Sequence, residues 1–206
     1  FHGEDITKFD KRITNKNLPK LDLIENINLS IIDVVFLALP HSVSHTYVKK
    51  YINKSKIIDL SADFRIDDYM IYKKYYKNKH SCPEFLNEFV YGLAEINFDL
   101  IQKTNNVSVP GCYPTSVLIP LIPLLLNNII KSDNIIIDSK SGYSGAGKKF
   151  NKDNIFNKNK LNFYNYNTNQ HRHICEIHQE LSKFCNSEIK FSFNPHIMPI
   201  FRGMMS

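Results

Sequence analysis

Ile31-Ile-Asp-Val-Val-Phe-Leu-Ala-Leu39 is continuous, apolar and rich in β-branched side chains, the pattern of a strand buried on both faces. Pro40-His41 breaks it, residues 42–52 read as a helix, and Lys56-Ile-Ile-Asp-Leu60 is a second strand of the same kind. Strand, helix and parallel strand within about thirty residues make a βαβ unit. Ligands of open α/β sheets bind beyond the carboxyl ends of the strands. Leu39-Pro40-His41 and Ser61-Ala-Asp-Phe-Arg65 are therefore expected on the ligand side.

Further along, residues 69–87 are polar and aromatic, a loop-helix pattern, and Asn106-Val-Ser-Val109 is a short strand. Ser116-Val-Leu-Ile-Pro-Leu-Ile-Pro-Leu-Leu-Leu126 reads as a buried apolar helix, and Asn134-Ile-Ile-Ile-Asp138 as another strand. Residues 151–170 are rich in Asn and Lys without periodicity, which predicts a long loop of the functional or mobile kind. A helix over 171–184 and a half-exposed strand over 188–195 complete the chain, which has no internal repeat. The glycine-rich loop that opens a dinucleotide-binding domain does not precede Ile31, so the chain reads as the later strands of such a domain.

With 206 residues, 43% hydrophobic and 22% charged, the chain has the composition of a soluble globular protein of one large or two modest domains. The longest apolar run stops at Asn127-Asn128 and Lys131, short of a membrane span, and Phe1-His2-Gly3-Glu4-Asp5 has no apolar signal core. Cys82, Cys112, Cys175 and Cys185 form no CxxC pair, which predicts reduced thiols and a cytoplasmic setting. The net charge of +6 is scattered along the chain. Its one aromatic-basic cluster, Tyr72-Lys-Lys-Tyr-Tyr-Lys77, would suit RNA or a solvated helix face anchored by tyrosines. No groove-reading or base-stacking motif accompanies it, so neither nucleic acid nor membrane is expected as a partner.

The chemistry concentrates at Val109-Pro-Gly-Cys-Tyr-Pro-Thr115, a strand-to-helix turn carrying one thiol. Amides at a helix start favour thiolate over thiol, Gly111 allows close approach, and Pro114 suits a first helical turn. Such a turn is how a chain presents a nucleophile, although a structural cysteine fits the same pattern. Gly142-x-x-x-x-Gly147-Lys148-Lys149 falls one residue short of a nucleotide-binding P-loop, because Lys149 cannot supply the hydroxyl that holds magnesium. A loop cradling an anion or a cofactor ring remains the expectation. In His171-Arg-His-Ile-Cys-Glu-Ile-His178 the spacing does not suit zinc, so no metal is expected. His171 and His173 are the candidates for a proton partner to Cys112, with Glu176 as an orienting or substrate-binding carboxylate. Arg65 and Arg202 stand out in a lysine-rich chain, since only Arg offers a bidentate fork for carboxylate or phosphate.

These blocks together resemble the N-acetyl-γ-glutamyl-phosphate reductase family, relatives of aspartate-semialdehyde dehydrogenase. The matching stretches are Phe36 to His41, Asp59 to Arg65, Tyr91 to Glu95, Val109 to Thr115, Ser141 to Gly147, His171-Arg-His173 with Glu176, and Asn194-Pro-His196 through Pro199 to Arg202-Gly203. They run in the family's order over nearly the whole chain. The resemblance implies an α/β protein: an incomplete Rossmann-type parallel-sheet domain over 1–111, then an α+β catalytic and oligomerisation domain over 112–206. It implies attack by Cys112 on an acyl phosphate, release of phosphate, and reduction of the thioester to an aldehyde with NADP(H). His171 is then the acid/base. Arg65, His173, Glu176, Tyr166 and Arg202 hold the substrate, and Pro40, His41, Ser141, Gly142 and Gly145 meet the cofactor. A homo-oligomer is also implied.

Cys175 departs from the family's usual Pro, and Tyr166 is preferred to Tyr164 as the tyrosine reaching the site. The absent glycine loop, and the absence of the segment the family carries after Arg202-Gly203, lead to the expectation that these residues are a piece of a longer protein, inactive alone. Competing readings are a related acyl-phosphate reductase and a Cys-His acyl hydrolase or transferase that needs no dinucleotide.

Overall fold

The computed structural model describes every residue except Lys16, Lys148, Lys149, Lys152, Asn154, Lys158 and Asn159. Strands β1 (Val34–Leu37) and β2 (Lys56–Asp59) flank helix α1 (Ser44–Tyr51) and pair in parallel from Val34↔Lys56 to Leu37↔Asp59. The βαβ unit is therefore present. Helix α2 (Tyr69–Tyr76) starts where Asp68 accepts hydrogen bonds from the Met70 and Ile71 amides, and ends at Lys77, whose φ of +59° leaves the helix. Strands β3 (Val90–Tyr91) and β4 (Asn106–Ser108), on either side of α3 (Ala94–Lys103), complete a wholly parallel sheet of order β1-β2-β4-β3.

β1 is shorter than its apolar run, because Leu29–Ile31 form a 3-10 turn. Nor is it buried on both faces. Leu37 is buried with Val48, Tyr51 and Ile57, whereas Phe36 is 66% exposed and Val34 38%. β1 is the edge of the sheet, and among the described residues no helix covers its second face. Tyr72 and Tyr76 of the aromatic-basic cluster are buried and stacked on each other, with centroids 5.0 Å apart, so these two rings belong to a core with Ala62 and Ile66.

The second half is built on helix α4 (Cys112–Leu126) and strand β5 (Ile135–Gly142). Residues 151–170, expected as unbroken loop, carry a two-stranded ladder of β6 (Phe156–Asn157) with β7 (Lys160–Leu161), then β8 (Tyr164–Asn165). Helix α5 (His173–Ser182), β9 (Phe191–Met198) and β10 (Met204–Met205) follow. The second sheet has order β10-β5-β9-β8; β5 and β9 run parallel over eight residue pairs, and the outer strands are antiparallel. Pairing to β9 carries β5 past Asp138 through Ser141-Gly142, so the glycine segment begins inside a strand and turns only at the 3-10 helix Tyr143–Ala146. Its final Lys148-Lys149 lies outside the described residues.

α4 and α5 pack on one face of this sheet through Leu118, Ile122, Ile177, Leu181, Ile137 and Phe193. Tyr91 and Leu93 of the first half join that core, and Cys175 of α5 joins the Tyr72–Tyr76 core. The two halves thus interlock around the start of α4, where the thiol sits.

Candidate active site

The turn before α4 is anchored at both ends. Val109 N donates to Asp59 O at 2.8 Å, extending β4 beside β2, and Thr115 bonds back to Gly111 O through its amide and its hydroxyl, each at 2.9 Å. Gly111 is the N-cap at φ −65° and ψ 155°, conformations open to any residue. Space makes glycine necessary: a Cβ there would lie 2.9 Å from His173 Nε2 and 3.0 Å from Glu176 Oε2. Helix α5 therefore lies directly against the turn that carries Cys112.

Glu176, on the first turn of α5, is fully buried. Its Oε1 accepts from the Tyr91 hydroxyl at 2.8 Å and the Gly111 amide at 2.7 Å, and its Oε2 stands 3.5 Å from Arg65 Nη1. Arg65 is buried as well. Its Nη2 donates to Leu60 O at 2.8 Å, while its Nε has no partner among the described residues, a buried donor that an anion could meet. Gln179, two residues beyond Ile177, clamps the Arg65 backbone by donating to Arg65 O and accepting from Asp67 N.

Cys112 is a free, exposed cysteine. The protein packed around its sulfur still hinders hydration of a thiolate and pushes the thiol up. Amides at the start of α4 and the charge of Arg65 oppose that rise, and the charge of Glu176 adds to it. His171 precedes α5 and His173 begins it, both buried, with ring centroids 4.7 Å apart. Burial lowers His171 to about 4 and holds His173 well below the usual imidazole range. Both are neutral near pH 7. His171 Nδ1 accepts the His173 amide at 3.1 Å, which assigns the ring proton to Nε2 and makes that nitrogen a donor. His173 Nδ1 is buried without a partner among the described residues. Tyr113 packs edge-on against both rings, and the Tyr166 hydroxyl donates to that of Tyr113 at 3.2 Å.

The structure thus brings Cys112, Arg65, Glu176, His171, His173 and Tyr166 into one connected cluster. The expected cofactor residues lie at the strand ends. Pro40 is exposed past β1, and His41 Nδ1 accepts the Ala62 amide at 3.1 Å. Ser141 is buried on β5. Beside Gly142 a Cβ would strike the Arg202 and Ile200 backbone within 2.9 Å, so the chain itself fills that space; beside Gly145 the nearest atom would be Ser141 Oγ at 3.7 Å. Arg202 is exposed, its guanidinium over Phe201, and makes no contact with the cluster among the described residues.

Sequence reasoning missed two supports. Tyr91 was visible only as the first residue of the family-matching stretch Tyr91 to Glu95. Asp63, central to Ser61-Ala-Asp-Phe-Arg65, accepts the Ser42 amide through both oxygens and the Tyr72 hydroxyl at 2.6 Å, with His45 Nε2 3.5 Å away. Asp59 binds Ser44 and Ser61 in the same layer. The density of Asp and Ser after β2 was the available signal, since such residues close turns onto backbone amides.

This chain, with a thiol on a helix start after a parallel sheet, an arginine and paired histidines beside it, belongs to the semialdehyde dehydrogenase family. Residues 2–104 match the model described as semialdehyde dehydrogenase, NAD binding domain, and residues 112–206 that described as semialdehyde dehydrogenase, dimerisation domain. Among curated proteins it is similar to the N-acetyl-gamma-glutamyl-phosphate reductase of Ehrlichia canis (strain Jake), at 51% identity over 88% of this chain and 53% of the relative. It is 43% identical to the protein of that name from Alkaliphilus metalliredigens (strain QYMF), over 100% of this chain and 60% of the relative. A probable chloroplastic one from Arabidopsis thaliana is 40% identical over 99% of this chain and 51% of the relative. The chain spans about half the length of the curated relatives it matches. Among solved structures, aspartate semialdehyde dehydrogenase II from Vibrio cholerae shares the fold, with a TM-score of 0.53 at 16% identity over 88% of this chain and 56% of that one. No helix among the described residues is long and apolar enough to cross a membrane.

Proposed function

We propose that the protein carrying this chain reduces N-acetyl-γ-glutamyl phosphate to N-acetylglutamate semialdehyde and phosphate through a thioester on Cys112, a step of arginine biosynthesis. The observation that supports it best is the Cys112 turn, held by Glu176 with Arg65 beside it, in a chain whose relatives bear that reductase's name. The Cys112 sulfur attacks the acyl carbon, the carbon–oxygen bond to phosphate breaks, and phosphate departs with that electron pair and takes up the thiol proton. Arg65 Nε, a buried donor without a partner among the described residues, meets the phosphate. His171 Nε2–H donates to the carbonyl oxygen while negative charge builds on it, as a neutral imidazole can. His173 and Tyr166 shape the substrate side, and Arg202 would have to swing in from the surface.

NADP(H), when bound, supplies the hydride, and a thioester accepts hydride where a carboxylate does not. The strand ends fit such a group: Pro40 and His41 lie past the carboxyl end of β1, and beside Gly145 a Cβ would meet only Ser141, at ordinary contact distance of 3.7 Å. Gly142, where a Cβ would strike the Arg202 and Ile200 backbone, is also required as glycine by the packing of the chain. We place the domain boundary at the cysteine turn, 1–111 and 112–206. We further propose a homo-oligomer, supported by the dimerisation-domain match and by the face of the second sheet away from α4 and α5, where Ile136 is 77% exposed. The cytoplasm, or a plastid in plant relatives, is the proposed compartment.

The test follows NADP reduction by N-acetylglutamate semialdehyde in the whole protein, with and without phosphate. Turnover that requires phosphate and disappears in Cys112→Ser is expected. Phosphate-independent turnover, or activity that survives the substitution, would overturn the proposal.

A further inference from the structure

We propose that Glu176 and Tyr91 form a buried positioning pair for Cys112: the Glu176 carboxylate, steadied by the Tyr91 hydroxyl, pins the Gly111 amide and so the helix start that carries the thiol. The inference deepens the reading above and rests on it for its kinetic arm.

A buried carboxylate is costly unless its partners compensate. Those of Glu176 come from three distant segments: Tyr91 on β3, Gly111 on the cysteine turn, and Arg65 in the loop after β2. Oε1 takes both short bonds, and Oε2 faces Arg65. The side chain has no accessible surface, so a substrate would have to displace one of these partners to touch it. Its charge opposes formation of the Cys112 thiolate, so electrostatic activation of the thiol cannot be its use. Geometry can. One side chain ties the nucleophile's turn and the anion-binding arginine to α5, which also carries His173. Tyr91 has the same logic: its hydroxyl lies deep in the shared core, and Glu176 is the partner it meets there.

The test uses the whole protein and four variants: Tyr91→Phe, Glu176→Gln, Glu176→Ala and Tyr91→Phe/Glu176→Ala. Exchange of the Gly111 amide and iodoacetamide labelling of Cys112, located by mass spectrometry, are read without substrate; kcat and KM are read with it. Glu176→Ala is expected to speed Gly111 exchange and lower kcat about 10–100-fold with KM nearly unchanged, since a displacement near 1 Å costs about that much. Glu176→Gln, which keeps an acceptor for Gly111, recovers most of the loss. Tyr91→Phe costs about 3–10-fold alone and nothing further in the Glu176→Ala background, as coupled residues require. A raised KM with intact kcat would mean that Glu176 touches substrate and would overturn the proposal. So would native Gly111 exchange in Glu176→Ala, or an additive Tyr91→Phe effect. If the wild type shows no reductase turnover, the proposed function fails, while exchange and labelling still decide the positioning role.

Discussion

Replacing Gly111 by Ala tests how closely α5 is pressed against the cysteine turn. The added methyl would stand 2.9 Å from His173 Nε2, 3.0 Å from His173 Cε1 and 3.0 Å from Glu176 Oε2. Contacts of that kind need roughly half an ångström more, and overpacking a tight interior costs about 1–3 kcal/mol. The backbone at φ −65° and ψ 155° suits Ala, so the lost freedom of the unfolded chain returns about 0.4–1 kcal/mol. The net expectation is a destabilisation of about 1–2 kcal/mol, or a fall in Tm of about 2–8 °C for a chain of this size. Moving the turn by half an ångström is also expected to cut turnover about tenfold, given about 10²-fold per ångström of misplacement. Thermal unfolding and phosphate-dependent turnover measure the two effects; for unfolding alone Gly145→Ala is the control, because its methyl would meet nothing nearer than 3.7 Å. A Gly111→Ala protein with native Tm and native turnover would refute the close packing described here.

Two other outcomes follow from buried polar groups. His41, His45 and His171 are each lowered by burial to about 4, below their unfolded value, so the native state binds fewer protons than the unfolded chain between roughly pH 4 and 6.5. Their stability is fully present above that window and is lost as pH falls through it, opposed by Asp59 and Glu180, which burial raises. Thermal melts from pH 7 to 5 are expected to fall, with a shallower slope in His171→Gln; an identical slope would contradict its burial as a neutral ring. At the other network, Tyr72→Phe removes the hydroxyl that donates to Asp63 and is expected to cost about 1.5–3 kcal/mol, as hydrogen bonds to charged groups do, by urea titration. A cost below about 0.5 kcal/mol would show that this bond contributes little.

Local pattern was enough for the elements that bracket the site. The β-branched runs before Pro40 and Leu60 became β1 and β2, and the apolar stretch after Cys112 became a helix despite Pro120 and Pro123. Neighbours along the chain set backbone conformation, so the placement of a thiol on a helix start could be read from seven residues. The family resemblance, carried by ordered motifs, extended that reading to Arg65 and the histidines. Contacts across space could not be read in this way. That Glu176 returns over 65 positions to bind the Gly111 amide depends on how α5 docks. So does the need for glycine at 111, which comes from α5 and not from the turn's own dihedrals. The extension of β5 through Gly142 and the strand β8 within the Asn-rich segment were decided by hydrogen bonds offered by β9, whose edges select partners by geometry rather than by composition. The sequence by itself determined the strands, helices and reactive turn, because those depend on adjacent residues. The tertiary structure alone decided what grips the turn, because that grip joins segments the chain keeps far apart.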